Sequence, residues 1–143
     1  MSQWRRGAIE RFPEMHRAIA DADGVGLVWF ELWYSLFKPA YVKELPDREI
    51  IARVYDYAYW CLGHRNIDVR TAVILDFYEN LHDYSRMGAD MPRWISQEDF
   101  DMLHFAWEYS TNQDFTDLRR EFTENKTRMD KQKRAESQKS AFG

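Results

Sequence analysis

Residues 27–37 read Leu27-Val28-Trp29-Phe30-Glu31-Leu32-Trp33-Tyr34-Ser35-Leu36-Phe37. How this run folds decides the fold class. Its aromatic residues suit a strand. The segments on either side have helical spacing, and no second run offers a partner strand. A helix is therefore expected. Being apolar nearly all round, it should be buried on most sides. Pro39 should end it.

Upstream, Ile9, Phe12 and Ile19 are spaced for one or two helical segments across Trp4–Ala20, with a kink or fresh turn at Pro13. Asp21-Ala22-Asp23-Gly24 reads as a turn. Downstream, Asp47 is a candidate N-cap for a third helix carrying Ile50, Val54, Tyr57, Ala58 and Cys61. Gly63 is its candidate C-cap. The short link His64-Arg65-Asn66 implies an antiparallel neighbour, a fourth helix over Ile67–Tyr84. Ser85–Pro92 reads as a loop. Ser96-Gln97-Glu98-Asp99 opens a fifth helix with a capping-box pattern. A last helix begins near Asn112 and carries Phe115, Leu118 and Phe122; beyond Asp130 little remains to bury. The expectation is an all-α, single-domain bundle of five or six helices over residues 1–125, with a basic, fraying helix end and tail over 126–143.

Charge sharpens that division. The chain has 143 residues and a net charge of −4, from 20 Lys and Arg against 24 Asp and Glu. Residues 126–143 hold six bases and two acids, so the first 125 residues carry −8. Phosphate binding needs concentrated Lys and Arg, so nucleic acid is not the expected ligand of the body. A basic protein surface is. Lys131-x-Lys133-Arg134 in the tail reads as a solvated end. The longest apolar run is too short to span a bilayer, and no secretory leader is recognisable. A cytoplasmic protein is expected.

Most motifs that carry chemistry are missing. Cys61 is the only cysteine, so an internal disulfide and a Cys-rich zinc site are excluded. Cys61 and His64 are spaced C-x-x-H, but a metal needs further ligands. Aligning Gly24 with the glycine of a calcium loop puts Ile19 and Phe30 where oxygen ligands are required. Gly24-x-Gly26 lacks the third glycine of a dinucleotide loop. No metal, cofactor or catalytic residue is expected.

Two acidic faces are candidate partner-binding sites. On a helix over 67–84, Asp76, Glu79 and Asp83 share a stripe opposite Val73, Phe77 and Leu81. One convex stripe does not set two carboxylates across a cleft, as glycosidase chemistry needs. It reads as a solvated or docking face. On the fifth helix, Glu98, Asp101, Phe105, Glu108 and Tyr109 lie away from Phe100, Leu103 and Trp107. Aromatics within a polar rim mark interfaces, though these could also pack beneath the last helix.

The runs Ile50–Tyr57 and Gly63–Leu81 resemble a family of small all-helical bacterial proteins that look like toxin-immunity proteins. The matching positions are Asp68, Val69, Ala72, Val73, Phe77, Glu79 and Leu81, with one residue of slack at the glutamate. The resemblance implies a non-enzymatic immunity protein. It would bind a cognate toxin domain with a basic surface, a nuclease suiting best, and block it without chemistry of its own. Two alternatives stand beside it: an acidic phage or mobile-element inhibitor that imitates nucleic acid, and a small enzyme or ligand carrier with an aromatic pocket around Trp29, Trp33 and Trp60.

Overall fold

Local signals set many of the helix ends. In the computed structural model, which describes residues 1–142, Asp47 accepts a hydrogen bond from the Ile50 amide at 3.3 Å and starts a helix. Ser96 does the same for the Asp99 amide at 3.1 Å. Each side chain satisfies an amide that the first helical turn leaves open. The described residues are 83% helix with no strand, so the run at 27–37 is helical. In order the α-helices are α1 (Gln3–Arg11), α2 (His16–Asp21), α3 (Val25–Leu32), α4 (Lys38–Val42), α5 (Arg48–Leu62), α6 (Ile67–Asp76), α7 (Ser85–Asp90), α8 (Gln97–Met102), α9 (His104–Thr111) and α10 (Phe115–Phe142).

The expected five or six helices are too few, because several long ones are broken. Phe77 leaves helical geometry at φ −120° and ends α6; a 3-10 stretch, Tyr78–Asp83, follows. The expected helix over Ile67–Tyr84 is therefore two elements. Leu103 separates α8 from α9. The expected loop at Ser85–Pro92 contains α7. Pro39 does not stop its helix. A π-turn, Trp33–Phe37, joins α3 to α4, and Pro39 sits in the first turn of α4, where its missing amide costs no intrahelical bond.

The chain forms two compact units, Met1–Asn80 and Leu81 onward. In the first, α6 packs on α3 and α5, and α1 packs on α5. Phe77 is fully buried in a cluster of rings, with centroids 5.1 Å from Trp29, 5.1 Å from Phe37 and 5.3 Å from Tyr55. Arg53 ties α5 to the turn after α1, donating to the Arg11 carbonyl and to Glu14 at 2.7 Å. That bond chiefly holds the Glu14 carboxyl below its usual range. The run at 27–37 is buried on fewer sides than expected. Val28, Trp29, Leu32, Trp33 and Phe37 are inside, while Leu27, Phe30 and Tyr34 form an exposed stripe.

In the second unit, α10 lies against α8, α9 and the turn Met91–Arg93. Phe122 stacks on Phe100 at 4.0 Å, and Phe100 on Trp107 at 5.3 Å. The Lys126 ammonium donates to the Pro92 and Ile95 carbonyls at 3.0 and 3.1 Å. Helix α10 runs unbroken across residue 126, and Asp130–Ala141 is exposed throughout.

Candidate functional site

The break at Phe77 rearranges the first acidic set. Asp76 ends α6 and Glu79 follows in the 3-10 stretch, both half-buried. They are close enough that the Asp76 charge adds to burial in pushing the Glu79 carboxyl above its usual range. Burial alone pushes Asp76 up. Neither carboxylate is ion-paired among the described residues. Asp83 ends the same 3-10 stretch and is exposed, so with α6 ending at Asp76 the three acids do not share one α-helix.

What the sequence did not reveal is where Asp76 sits. Its Oδ2 lies 3.2 Å from the point where a Cβ on Gly26 would stand. Glycine at 26 admits the carboxylate against α3, where any larger residue would crowd it. Phe30 on α3 and Tyr34 on the π-turn that follows it come four and eight residues after Gly26, 55% and 54% exposed, their rings 4.8 Å apart. The first unit thus carries an acid pair at the head of an aromatic stripe.

An uncompensated carboxylate has a consequence for stability. Because the folded state raises the Asp76 pKa, the unfolded chain ionises first as pH rises past the ordinary carboxylate range, near about 4. From there upward the charge weakens the fold. Asp76→Asn should therefore raise the melting temperature at pH 7 and leave it unchanged near pH 3. The gain should stay below about 1 kcal/mol, since the carboxylate keeps part of its water. Thermal melts at the two pH values check this. A melting temperature that falls at pH 7 would mean that the carboxylate has a stabilising partner.

The second acidic set is differently arranged. Asp101 is held by a two-pronged Arg119 bond at 3.0 and 3.2 Å and by Gln97 at 3.1 Å. Burial alone would raise its carboxyl, but these bonds outweigh it and keep the group low. It is already neutralised within its own unit. Glu98 and Glu108 are exposed and carry no ion pair among the described residues. Phe105 is 54% exposed and Tyr109 81%, with Met102 beside them at half exposure. The last helix covers Phe100 and leaves these three outside.

The other candidates resolve simply. Cys61 is buried beside Tyr57, and burial pushes its thiol up to about 12, so it is a packing residue and not a nucleophile. His64 Nδ1 accepts from the Asn66 amide at 3.0 Å. Among the described residues no three His, Cys, Asp or Glu converge as a metal site would require. Nor is any helix among them long and apolar enough to cross a membrane. The three tryptophans of the aromatic-pocket alternative are placed differently. Trp29 and Trp33 are sealed among the core rings, while Trp60 lies in the groove between α1 and α5.

No family model, no curated protein and no solved structure matches the chain.

Proposed function

We propose that this chain is a non-catalytic binding protein that masks a basic surface of a protein partner, as an immunity protein masks its toxin. The observation that carries the reading is the pair Phe105 and Tyr109, exposed on α9, which also carries the exposed and unpaired Glu108, with Glu98 exposed and unpaired on α8. A folded chain gains nothing from leaving two large aromatics in water. At an interface such residues become the buried anchors, and the surrounding charges form the rim. The acid pair Asp76–Glu79 beside the Phe30–Tyr34 stripe repeats this chemistry on the first unit. A carboxylate that weakens its own fold suits a site that receives a partner's cation. The −8 body would speed encounter with a positive surface. In a nuclease toxin that surface is the substrate groove.

The test is co-expression with the product of the neighbouring gene and kinetic measurement of the complex. Phe105→Ala with Tyr109→Ala should raise the off-rate at least about tenfold. Glu98→Lys with Glu108→Lys should lower the on-rate and its dependence on salt. Unchanged rates in both double variants would remove α8–α9 from the interface. A neighbouring gene of phage or mobile-element origin, in place of a toxin gene, would favour the nucleic-acid mimic instead.

A further inference from the structure

The second unit contains a cleft of about 390 Å³, within the range of roughly 300–1,000 Å³ typical of small-ligand sites. Its residues come from both ends of the unit. His82 and Asp83 enter from the 3-10 stretch, Phe100 from α8, and Glu121, Phe122 and Asn125 from α10. None of these positions is a neighbour of all the others in sequence, so the cleft exists only through the fold.

Its chemistry is one-sided. Asp83 and Glu121 face it, and no Lys or Arg lines it. Neither carboxylate is engaged in an ion pair or hydrogen bond among the described residues. Lys126 on α10 lies 5.9 Å from the Phe122 ring, but its ammonium is turned to the carbonyls of Pro92 and Ile95. The His82 imidazole makes no hydrogen bond among the described residues, and its Nε2 is shut off from solvent. Its edge contact is with the Trp107 ring, centroids 5.2 Å apart. Burial lowers the His82 pKa, with the Asp83 charge pulling back, so the ring is neutral at pH 7 and adds no positive charge. An unpaired buried nitrogen is costly and uncommon. Phe100 and Phe122, stacked on each other at 4.0 Å, close its base as an apolar floor.

We infer that this cleft binds an organic cation, an ammonium or guanidinium group, with Asp83 and Glu121 as its counter-charges and the His82 ring and the Phe100–Phe122 floor as its walls. An anion would meet two carboxylates and no base. A neutral ligand would leave both carboxylates as they are. A metal ion would find too few ligands, since no cluster of three is present among the described residues. An organic cation matches the charge, and its carbon skeleton suits the apolar floor. The inference is independent of the face on α8–α9.

The cation could be a free amine or a basic side chain presented by another protein, and the two sources can be told apart. The ring C–H signals of His82 would be followed by NMR at pH 7.5 in 150 mM salt, with agmatine as the free cation and the capped tripeptide Gly-Arg-Gly as the side-chain form. Saturable shifts of His82 with either probe are expected. Asp83→Asn with Glu121→Gln should weaken binding at least tenfold, while Glu136→Gln on the exposed end of α10 should leave it unchanged. Both altered carboxylates are exposed, so the variant should keep its fold, which the same spectra report. Binding of agmatine identifies a small-cation site, and binding of the tripeptide alone identifies a side-chain site. No saturation with either probe, or equal binding by the double variant, would overturn the inference.

Discussion

Phe77→Ala is expected to lower the unfolding free energy by about 3–5 kcal/mol, the usual range for emptying a buried aromatic site. Phe77 has no exposed surface and meets the rings of Trp29, Trp33, Phe37, Tyr55 and Tyr78, all within 6.0 Å between centroids. Five ring neighbours cannot all close over the void, so the cavity should persist. A second effect works the other way. Alanine is the better helix former, and Phe77 is where α6 ends. That propensity is worth at most about 0.7 kcal/mol and cannot offset the lost packing. Phe77→Leu keeps most of the volume and should cost roughly 1–2 kcal/mol. Urea unfolding followed by near-ultraviolet circular dichroism reads the rings directly. A loss below about 1 kcal/mol for the alanine variant would mean that the cluster is not the centre of the core.

The same residue explains why the first acidic set was misread. A helix over Ile67–Tyr84 places Phe77 inside and Tyr78 a quarter-turn away. In the fold both are buried. The pair Phe77-Tyr78 does not by itself announce the stop, since Val54 and Tyr55 are also adjacent and buried on the unbroken α5. The ring cluster that enforces the stop is assembled from α3, the π-turn and α5, which no local pattern reports. Pro39 failed as a stop for a similar reason, since the π-turn before it moves the missing amide to a harmless position. Caps behaved otherwise: Asp47 and Ser96 bond within three residues of themselves, so their role was legible.

At the candidate sites, local and long-range information again divide. Helical spacing left Phe105 and Tyr109 either exposed or packed beneath the last helix, and it is the seating of α10 on Phe100 that leaves them outside. The neutralisation of Asp101 depends on Arg119, eighteen residues later. Gly26 reads in sequence as part of an incomplete phosphate loop, whereas its role is to let Asp76 approach α3. The net charge of the first 125 residues is a sum. It does not say which carboxylates are spent on arginines and which are left for a partner.

Trp107→Ala should have the other large effect, on stability and on a titration together. The indole is fully buried, stacks on Phe100, stands edge-on to His82, and donates from Nε1 to the Phe100 carbonyl at 2.8 Å. Removing it should cost about 3–5 kcal/mol. Trp107→Phe keeps a ring but leaves that carbonyl without its donor, and should cost about 1–3 kcal/mol. The two variants separate further at His82. Burial holds the wild-type imidazole below its ordinary pKa, so the unfolded chain takes up the proton first as pH falls past about 6.5, and the fold weakens through that range. In Trp107→Ala water can reach the ring through the vacated wall. The His82 pKa should then rise toward its ordinary value and the acid-side loss of stability should flatten. In Trp107→Phe the shield stays and the pKa should stay low. An NMR titration of His82 in both variants decides the point: an unchanged pKa in the alanine variant would show that the indole is not what excludes water from the ring.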